Sequence, residues 1–263
     1  MKLAVIVSCN NSYVQYAEGA LNKFCSVNPE YTPFIIGTSF DKTINIQKIT
    51  VDLSAAFPYL NKRPYGRQYP IECFYHLYAY KLLPEYDYIV SIEPDMIAHQ
   101  PLSLDFEQIR YVAGVTDGNL IQNFEPIMSH LHRIRNGLHP TPNITQERVR
   151  GGLRVYNVSG CREIDFFDRI ETIYKKSWEI GAPRCGDDSL FVLYQMIYPD
   201  TVHHLDRHYM IIDQYSDYDA ICLYHDGSDA KWWNNKTSPS KIAAYFKTLM
   251  KAFIQSKSAE SSL

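Results

Sequence analysis

Two acidic side chains at the end of an apolar run give the first chemical signal in this sequence. Glu93 and Asp95 flank Pro94 directly after Tyr88-Ile89-Val90-Ser91-Ile92. In extended backbone, residues two apart point to the same side, so both carboxylates would face one cation. A hard divalent ion such as Mg²⁺ or Mn²⁺ takes oxygen ligands of this kind, and it can neutralise a diphosphate. A solvated acidic turn closing the strand would use the same residues, and on the tripeptide alone it is the commoner explanation. A second acidic pair, Asp187-Asp188, stands before the apolar run that starts at Leu190, where it can cap a helix or face a site. His203, His204 and His208 have i,i+4 and i,i+5 spacings that suit zinc on a helix, although scattered exposed histidines are the ordinary outcome. Arg67, just before Pro70, is either a phosphate contact or one more surface arginine.

The elements that must position these residues follow from hydrophobic periodicity. Leu3-Ala4-Val5-Ile6-Val7 is a continuous apolar run of the type shown by a strand buried on both faces. Val14, Ala17, Ala20, Leu21 and Phe24 recur at helical spacing behind it. Strands are expected at Pro33–Gly37, at Ile49–Leu53 by alternation, at Tyr88–Ile92 and at Tyr111–Val115. Pro70 can open a helix that turns Ile71, Phe74, Leu77 and Tyr78 inward and closes at Leu83-Pro84. Residues 124–151, rich in His, Arg, Pro and Gly, read as an acceptor-side insertion that is mostly loop. Beyond it come a strand around Gly152–Val158, helices near 165–179 and 188–196, and a strand at Ala220–Tyr224.

This alternation predicts one α/β domain over residues 1–236, with a mixed, mainly parallel central sheet flanked by helices. Residues 237–263 form a C-terminal amphipathic helix, carrying Ile242, Phe246, Leu249 and Phe253, and a frayed tail. Its Lys241, Lys247 and Lys251 face suits water over a packed core, with peripheral membrane contact as the second reading. Parallel strands deliver their C-terminal ends to the ligand crevice, and Glu93 and Asp95 stand at such an end.

Composition narrows the function classes. The chain has 263 residues, 46% hydrophobic and 21% charged, with a net charge of -3, so no global field draws nucleic acid or an acidic membrane. Six cysteines lie far apart with no C-x-x-C pair, which fits neither a zinc knuckle nor a dense disulfide framework. No apolar run reaches spanning length, and the expectation is a soluble, cytoplasmic protein.

Larger segments carry a family resemblance. Phe74-Tyr75-His76-Leu77, then Leu83-Pro84-Glu85-Tyr86-Asp87, an apolar strand, Glu93-Pro94-Asp95 and Pro101-Leu102 follow one another without a gap. This order resembles the GT-A fold glycosyltransferases of family 8, the group of lipooligosaccharide galactosyltransferases and glycogenin. Their pattern is Y-x-R-L, L-P-x-Y-D, a strand, D-x-D and P-L; here His76 stands where arginine is usual, and Glu93 replaces the first aspartate. Leu223-Tyr224-His225-Asp226-Gly227-Ser228-Asp229-Ala230-Lys231-Trp232-Trp233 resembles the family's H-x-x-G-x-x-K-P-W, with Gly227 one place early and Trp232 for the proline. The resemblance implies a GT-A nucleotide-diphospho-sugar transferase domain. It makes Glu93, Asp95 and His225 the ligands of Mn²⁺ or Mg²⁺, and Gly227 and Lys231 donor-binding residues. The N-terminal unit resembles the family's base-binding loop, so Cys9, Asn10, Asn11 and Tyr13 join Arg67 as donor-binding candidates, Tyr13 by stacking.

In the second half, Arg150-Gly151-Gly152 resembles the family's N-A-G strand, with Arg150 at the asparagine. Gly186-Asp187-Asp188 resembles D-Q-D, and equally the E-D pair of inverting GT-A enzymes, whose aspartate is the general base. Asp187 and Asp188 are therefore the catalytic candidates. The implied activity is metal-dependent transfer of a sugar from a nucleotide-sugar, a UDP-sugar by resemblance, to a hydroxyl of a glycan or glycoconjugate, with retention. The alternatives are inversion with Asp188 as base, or a non-catalytic nucleotide-sugar- or glycan-binding protein of the same fold. A sugar nucleotidyltransferase would need a glycine-rich phosphate loop after the first strand, and Ser8–Val14 contains no glycine.

Overall fold

The N-terminal apolar run forms β1 (Leu3–Ser8), and a computed structural model, which describes residues 1–60, 70–181, 186–212 and 223–225, places it inside the sheet. Ala4, Val5, Ile6 and Val7 are fully buried, as a strand covered on both faces requires. Its side chains divide between two layers. Ala4 and Ile6 join a core with Phe74, Tyr75, Phe166 and Phe191, while Leu3, Val5 and Val7 pack with Val14, Ala17, Leu21 and Phe24. That second set lines the inner face of α1 (Val14–Val27), whose spacing the sequence displays directly.

β2 (Tyr31–Gly37), β3 (Gln47–Thr50), β4 (Tyr88–Ile92), β6 (Val112–Leu120), β7 (Glu147–Asn157) and β8 (Val202–Leu205) complete a seven-stranded sheet of order β3-β2-β1-β4-β7-β6-β8. β1 runs parallel to β2 and β4, β2 parallel to β3, and β6 parallel to β8; β7 is antiparallel to both its neighbours. The expected mixed, mainly parallel sheet is thus present, with the long strand β7 as its antiparallel member. A smaller sheet holds β5 (Met96–Ala98), β10 (Leu223–His225) and β9 (Met210–Ile212) in that order.

Pro70 does open a helical segment, but Ile71–Tyr78 winds as a 3-10 helix before one α-helical turn, α2 (Ala79–Leu82). The tighter winding turns Glu72 and His76 inward beside Phe74, Tyr75 and Leu77, and leaves Ile71 half-buried. Residues 124–151 differ from the mostly loop expectation. They contain α3 (Glu125–Met128), α4 (Leu131–Gly137) and the first residues of β7, anchored by fully buried Ile127 and Ile134. These helices are too short to show a clear period in sequence.

At the end of β7, Asn157 accepts a hydrogen bond from the Gly160 N–H at 3.0 Å and starts α5 (Val158–Glu163). A Cβ on Gly160 would stand 1.9 Å from the Arg110 carbonyl oxygen, so only glycine lets α5 begin this close to the strand loop. α6 (Phe166–Glu179) and α7 (Asp187–Ile197) then cover the same face of the sheet. The segment of His203, His204 and His208 is β8 followed by a 3-10 turn, so the helical zinc spacing does not form. His204 instead meets Gln195, and His208 pairs with Asp206 at 3.0 Å. Among the described residues, Cys9, Cys25, Cys73 and Cys161 are free thiols. No described helix is long and apolar enough to cross a membrane. The expected C-terminal helix, with Lys241, Lys247 and Lys251, lies outside the described residues, as do Arg67, Gly227 and Lys231.

Candidate active site

β4 ends at Ile92, and the chain turns at once. The Met96 N–H donates to the Glu93 carbonyl at 3.0 Å, so Glu93-Pro94-Asp95 lies in a tight turn. The extended geometry expected for the two acids is therefore corrected, because Pro94 fixes its φ and favours a turn between β4 and β5. The turn separates their environments: Asp95 is only 4% exposed, whereas Glu93 is half-buried. β10 lies antiparallel to β5 with His225 opposite Met96, which places position 225 next in register to Asp95. Two segments more than a hundred residues apart in sequence thus meet at one end of the small sheet. Glu93, Asp95 and His225 offer two carboxylates and an imidazole, a donor set that suits Mn²⁺ or Mg²⁺. Among the described residues, no group of three His, Cys, Asp or Glu side chains is already gathered as a metal site.

A buried polar cluster stands beside this turn. Arg154, in the middle of β7 and opposite Ser91 of β4, donates from Nη1 to Asp187 Oδ2 at 2.9 Å and from Nη2 to Asp188 Oδ1 at 2.6 Å. Its side chain is 3% exposed, and its guanidinium stacks over the Phe191 ring at 4.6 Å. His76 brings Nε2 to 3.1 Å from Asp187 Oδ2 and Nδ1 to 2.6 Å from the Tyr156 hydroxyl. With Nε2 protonated, His76 donates to Asp187 and accepts from Tyr156, and Arg154 Nη1, 2.9 Å from that nitrogen, is then a second donor sharing Asp187 Oδ2 as acceptor rather than a hydrogen-bond partner of the ring. A Cβ on Gly151 would fall 2.1 Å from Asp188 Oδ1, so the bare backbone of β7 makes room for that carboxylate. Asp187 and Asp188 are thus not N-caps: the N-cap is Gly186, and both acids sit in the first turn of α7 with their side chains directed to Arg154.

The charges of this cluster are set by one another. Burial alone would push the Asp187 carboxyl up, but the His76 hydrogen bond and the Arg154 charge hold it down at about 2. Burial opposes the Arg154 charge as well, yet Asp187 and Asp188 outweigh it and push its pKa above the ordinary value. His76 is lowered, first by burial and then by Arg154, against the opposing pull of Asp187 and Glu93. Burial, and then the charges of Asp187, Glu93, Glu72 and Asp188, push the Cys73 thiol up. The acid turn after β4 and the first turn of α7 therefore belong to one electrostatic site.

A pH dependence follows. His76 is held neutral when folded but gains a proton freely when unfolded, so its stabilising contribution is complete above the ordinary histidine pKa and lost as pH falls below it. The midpoint of thermal unfolding should fall between about pH 7 and pH 5. His204, lowered by burial, acts in the same window, so the check is the difference between wild type and His76→Gln, whose profile should be flatter. An identical slope would assign the effect elsewhere.

The expected donor loop follows β1. Cys9 is buried and its N–H donates to the Ile36 carbonyl; burial and then Glu72 push its thiol up to about 12. Asn10 accepts from the Ser12 N–H, while Asn11 forms a reciprocal pair with Asp41, its Nδ2 donating at 2.6 Å and its Oδ1 accepting the Asp41 N–H at 3.1 Å. Tyr13 precedes α1 with 40% exposure, so part of its ring is open to solvent. After β2, the single proton of Thr38 goes to Glu72 at 2.8 Å, and the Tyr75 hydroxyl donates to Thr38 at 2.8 Å. Cys9, Thr38 and Glu93 all follow the C-terminal ends of neighbouring parallel strands, which is where an open α/β sheet binds ligands.

Two of these residues escaped sequence reasoning. Arg154 and Glu72 occupy inward positions in otherwise apolar stretches, and a charged residue on a buried face is itself the signal that could have marked them.

This sheet order, with acids after β4 and a small sheet carrying His225 against β5, defines a GT-A fold. Solved structures bear this out. Galactosyltransferase LgtC, in complex with donor and acceptor sugar analogues, superposes with a TM-score of 0.70 over 95% of this chain and 95% of its own, at 12% identity. The glycosyltransferase GlyE of Streptococcus pneumoniae TIGR4 matches with a TM-score of 0.61 over 99% of this chain and 64% of its own, at 13% identity. Mouse xyloside xylosyltransferase 1 matches with a TM-score of 0.56 over 85% of this chain and 97% of its own, at 11% identity. No family model matches the chain, and no curated protein matches it in sequence.

Proposed function

We propose that this chain is a glycosyltransferase that moves a sugar from a nucleotide-sugar, with a UDP-sugar favoured, to a hydroxyl of a glycan or glycoconjugate acceptor. The observation that carries the reading is the convergence at one sheet edge of the Glu93–Asp95 turn, position 225 in register beside it, and the Asp187–Asp188 turn of α7. The fold it shares with solved glycosyltransferases supports the same class.

In this reading Glu93, Asp95 and His225 hold Mn²⁺ or Mg²⁺, which supplies positive charge to the donor diphosphate and to the departing nucleotide. Lys231 takes remaining phosphate charge, and Tyr13, exposed at the start of α1, stacks on the base beside Asn10 and Asn11. The acceptor enters between the 124–151 segment and the first turn of α7. Asp188, whose side chain is 53% exposed, lies on that side, and Asp187, tied to Arg154 and His76, lies behind it. Retention is favoured over inversion through the family resemblance alone; inversion would use Asp188, one of whose oxygens accepts from Arg154 at 2.6 Å, as general base.

The test is a donor-hydrolysis screen of the full chain with UDP- and GDP-sugars plus Mn²⁺. Slow release of UDP from at least one UDP-sugar, with the anomeric configuration of the released sugar retained, is the expected result. Donor binding without turnover, across donors and acceptors, would instead make this a binding protein of the same fold.

A further inference from the structure

Arg154 belongs to none of the motifs that carry the family resemblance, yet its guanidinium meets Asp187, Asp188 and His76 together. Its guanidinium touches Asp187 and Asp188 through separate nitrogens and lies over Phe191, so three residues of one face of α7 grip a single side chain of β7. β7 is paired on both sides at this point, with Ser91 of β4 and Gly114 of β6, so the guanidinium rises from inside the sheet. Arg154 Nη1 also lies 2.9 Å from His76 Nε2. Position 76 is where the resemblance leads one to expect arginine, and the Arg154 guanidinium lies against the His76 ring that stands there. We propose that Arg154 is a positioning residue of the active site, supplying from β7 the guanidinium absent at position 76 and setting the first turn of α7 against the sheet.

The consequence is a division of labour between the two acids. Asp187, 18% exposed and shared by Arg154 and His76, locks the turn. Asp188, 53% exposed, keeps one oxygen on Arg154 and is the more solvent-accessible of the two acids. Arg154 thus acts through Asp188 and does not itself need to touch substrate. The bidentate fork fixes direction as well as charge, so lysine is no substitute.

The inference rests on the glycosyltransferase reading, and the experiment separates the two. UDP-sugar hydrolysis and UDP affinity are measured for wild type, Arg154→Met, Arg154→Lys and the double variant His76→Arg/Arg154→Met. Arg154→Met should lose about 100-fold in kcat while UDP affinity stays within about threefold, because the nucleotide is held elsewhere. Arg154→Lys should lose about tenfold or more. The double variant should recover at least about tenfold over Arg154→Met, as a guanidinium is returned to the site. If Arg154→Met retains kcat within about threefold of wild type, or if the double variant is no faster than the single one, the proposal fails. Should Arg154→Met not fold, His76→Arg must restore both folding and turnover, and its failure to do so is equally decisive. A wild type inert towards every donor refutes the enzymatic reading itself, whereas an active wild type with an equally active Arg154→Met refutes only the role of Arg154.

Discussion

Asp187→Ala is expected to destabilise the fold by about 3–5 kcal/mol, because it leaves the buried Arg154 charge without its shared carboxylate. Arg154 is 3% exposed, and the half-exposed Asp188 would remain as its only carboxylate partner among the described residues. His76 would lose the acceptor of its Nε2 proton at the same time. The loss should depend on pH in a defined direction. The folded carboxyl is depressed from 3.8 to about 2, so its contribution is complete above the unfolded value and disappears as pH falls from there through about 2. Denaturant titrations of wild type and Asp187→Ala should therefore differ most near neutrality, and the gap should narrow progressively from about pH 4 down to about pH 2. A difference of less than about 1 kcal/mol at neutral pH, or one that does not change with pH, would mean that the cluster is not held by this ion pair.

Asp95→Ala is expected to leave the fold intact and to weaken metal-supported UDP binding by at least about 100-fold. Asp95 is the shorter and more buried of the two acids, and the hydrogen bond from the Met96 N–H to the Glu93 carbonyl fixes the turn that carries it. Glu93 has a longer arm and is half-buried, so Glu93→Gln should cost less than Asp95→Ala. Calorimetric titration with UDP in the presence of Mn²⁺ reads both variants. Unchanged affinity in Asp95→Ala would remove this residue from the proposed ligand set.

The parts of the fold that sequence revealed are those where one period dominates. Leu3–Val7 and Tyr88–Ile92 are apolar runs, α6 carries an apolar stripe and α7 a continuous apolar stretch, so their existence and order could be read directly. Residues 124–151 were harder, since α3 and α4 are each shorter than the span over which a helical period becomes visible. The acids themselves were legible, but their geometry was not. Extended spacing would have pointed Glu93 and Asp95 the same way, whereas Pro94 turns the chain and buries Asp95. Asp187 and Asp188 could be read as helix caps or as catalytic residues, because acids before an apolar run serve either purpose. Only the arrival of Arg154 from β7, thirty-odd residues earlier in sequence, redirects them. Such a contact is set by strand order and register, and no local pattern encodes it.

A nucleoside diphosphate that binds through a metal ion held at the end of β4 must lose affinity when the metal is removed. Titration of the wild-type chain with UDP, once with Mn²⁺ and once with a chelator, reads this dependence. Binding with Mn²⁺ that weakens by at least about 100-fold in chelator is the predicted result. Equal affinity with and without metal, or no UDP binding in either condition, would contradict it.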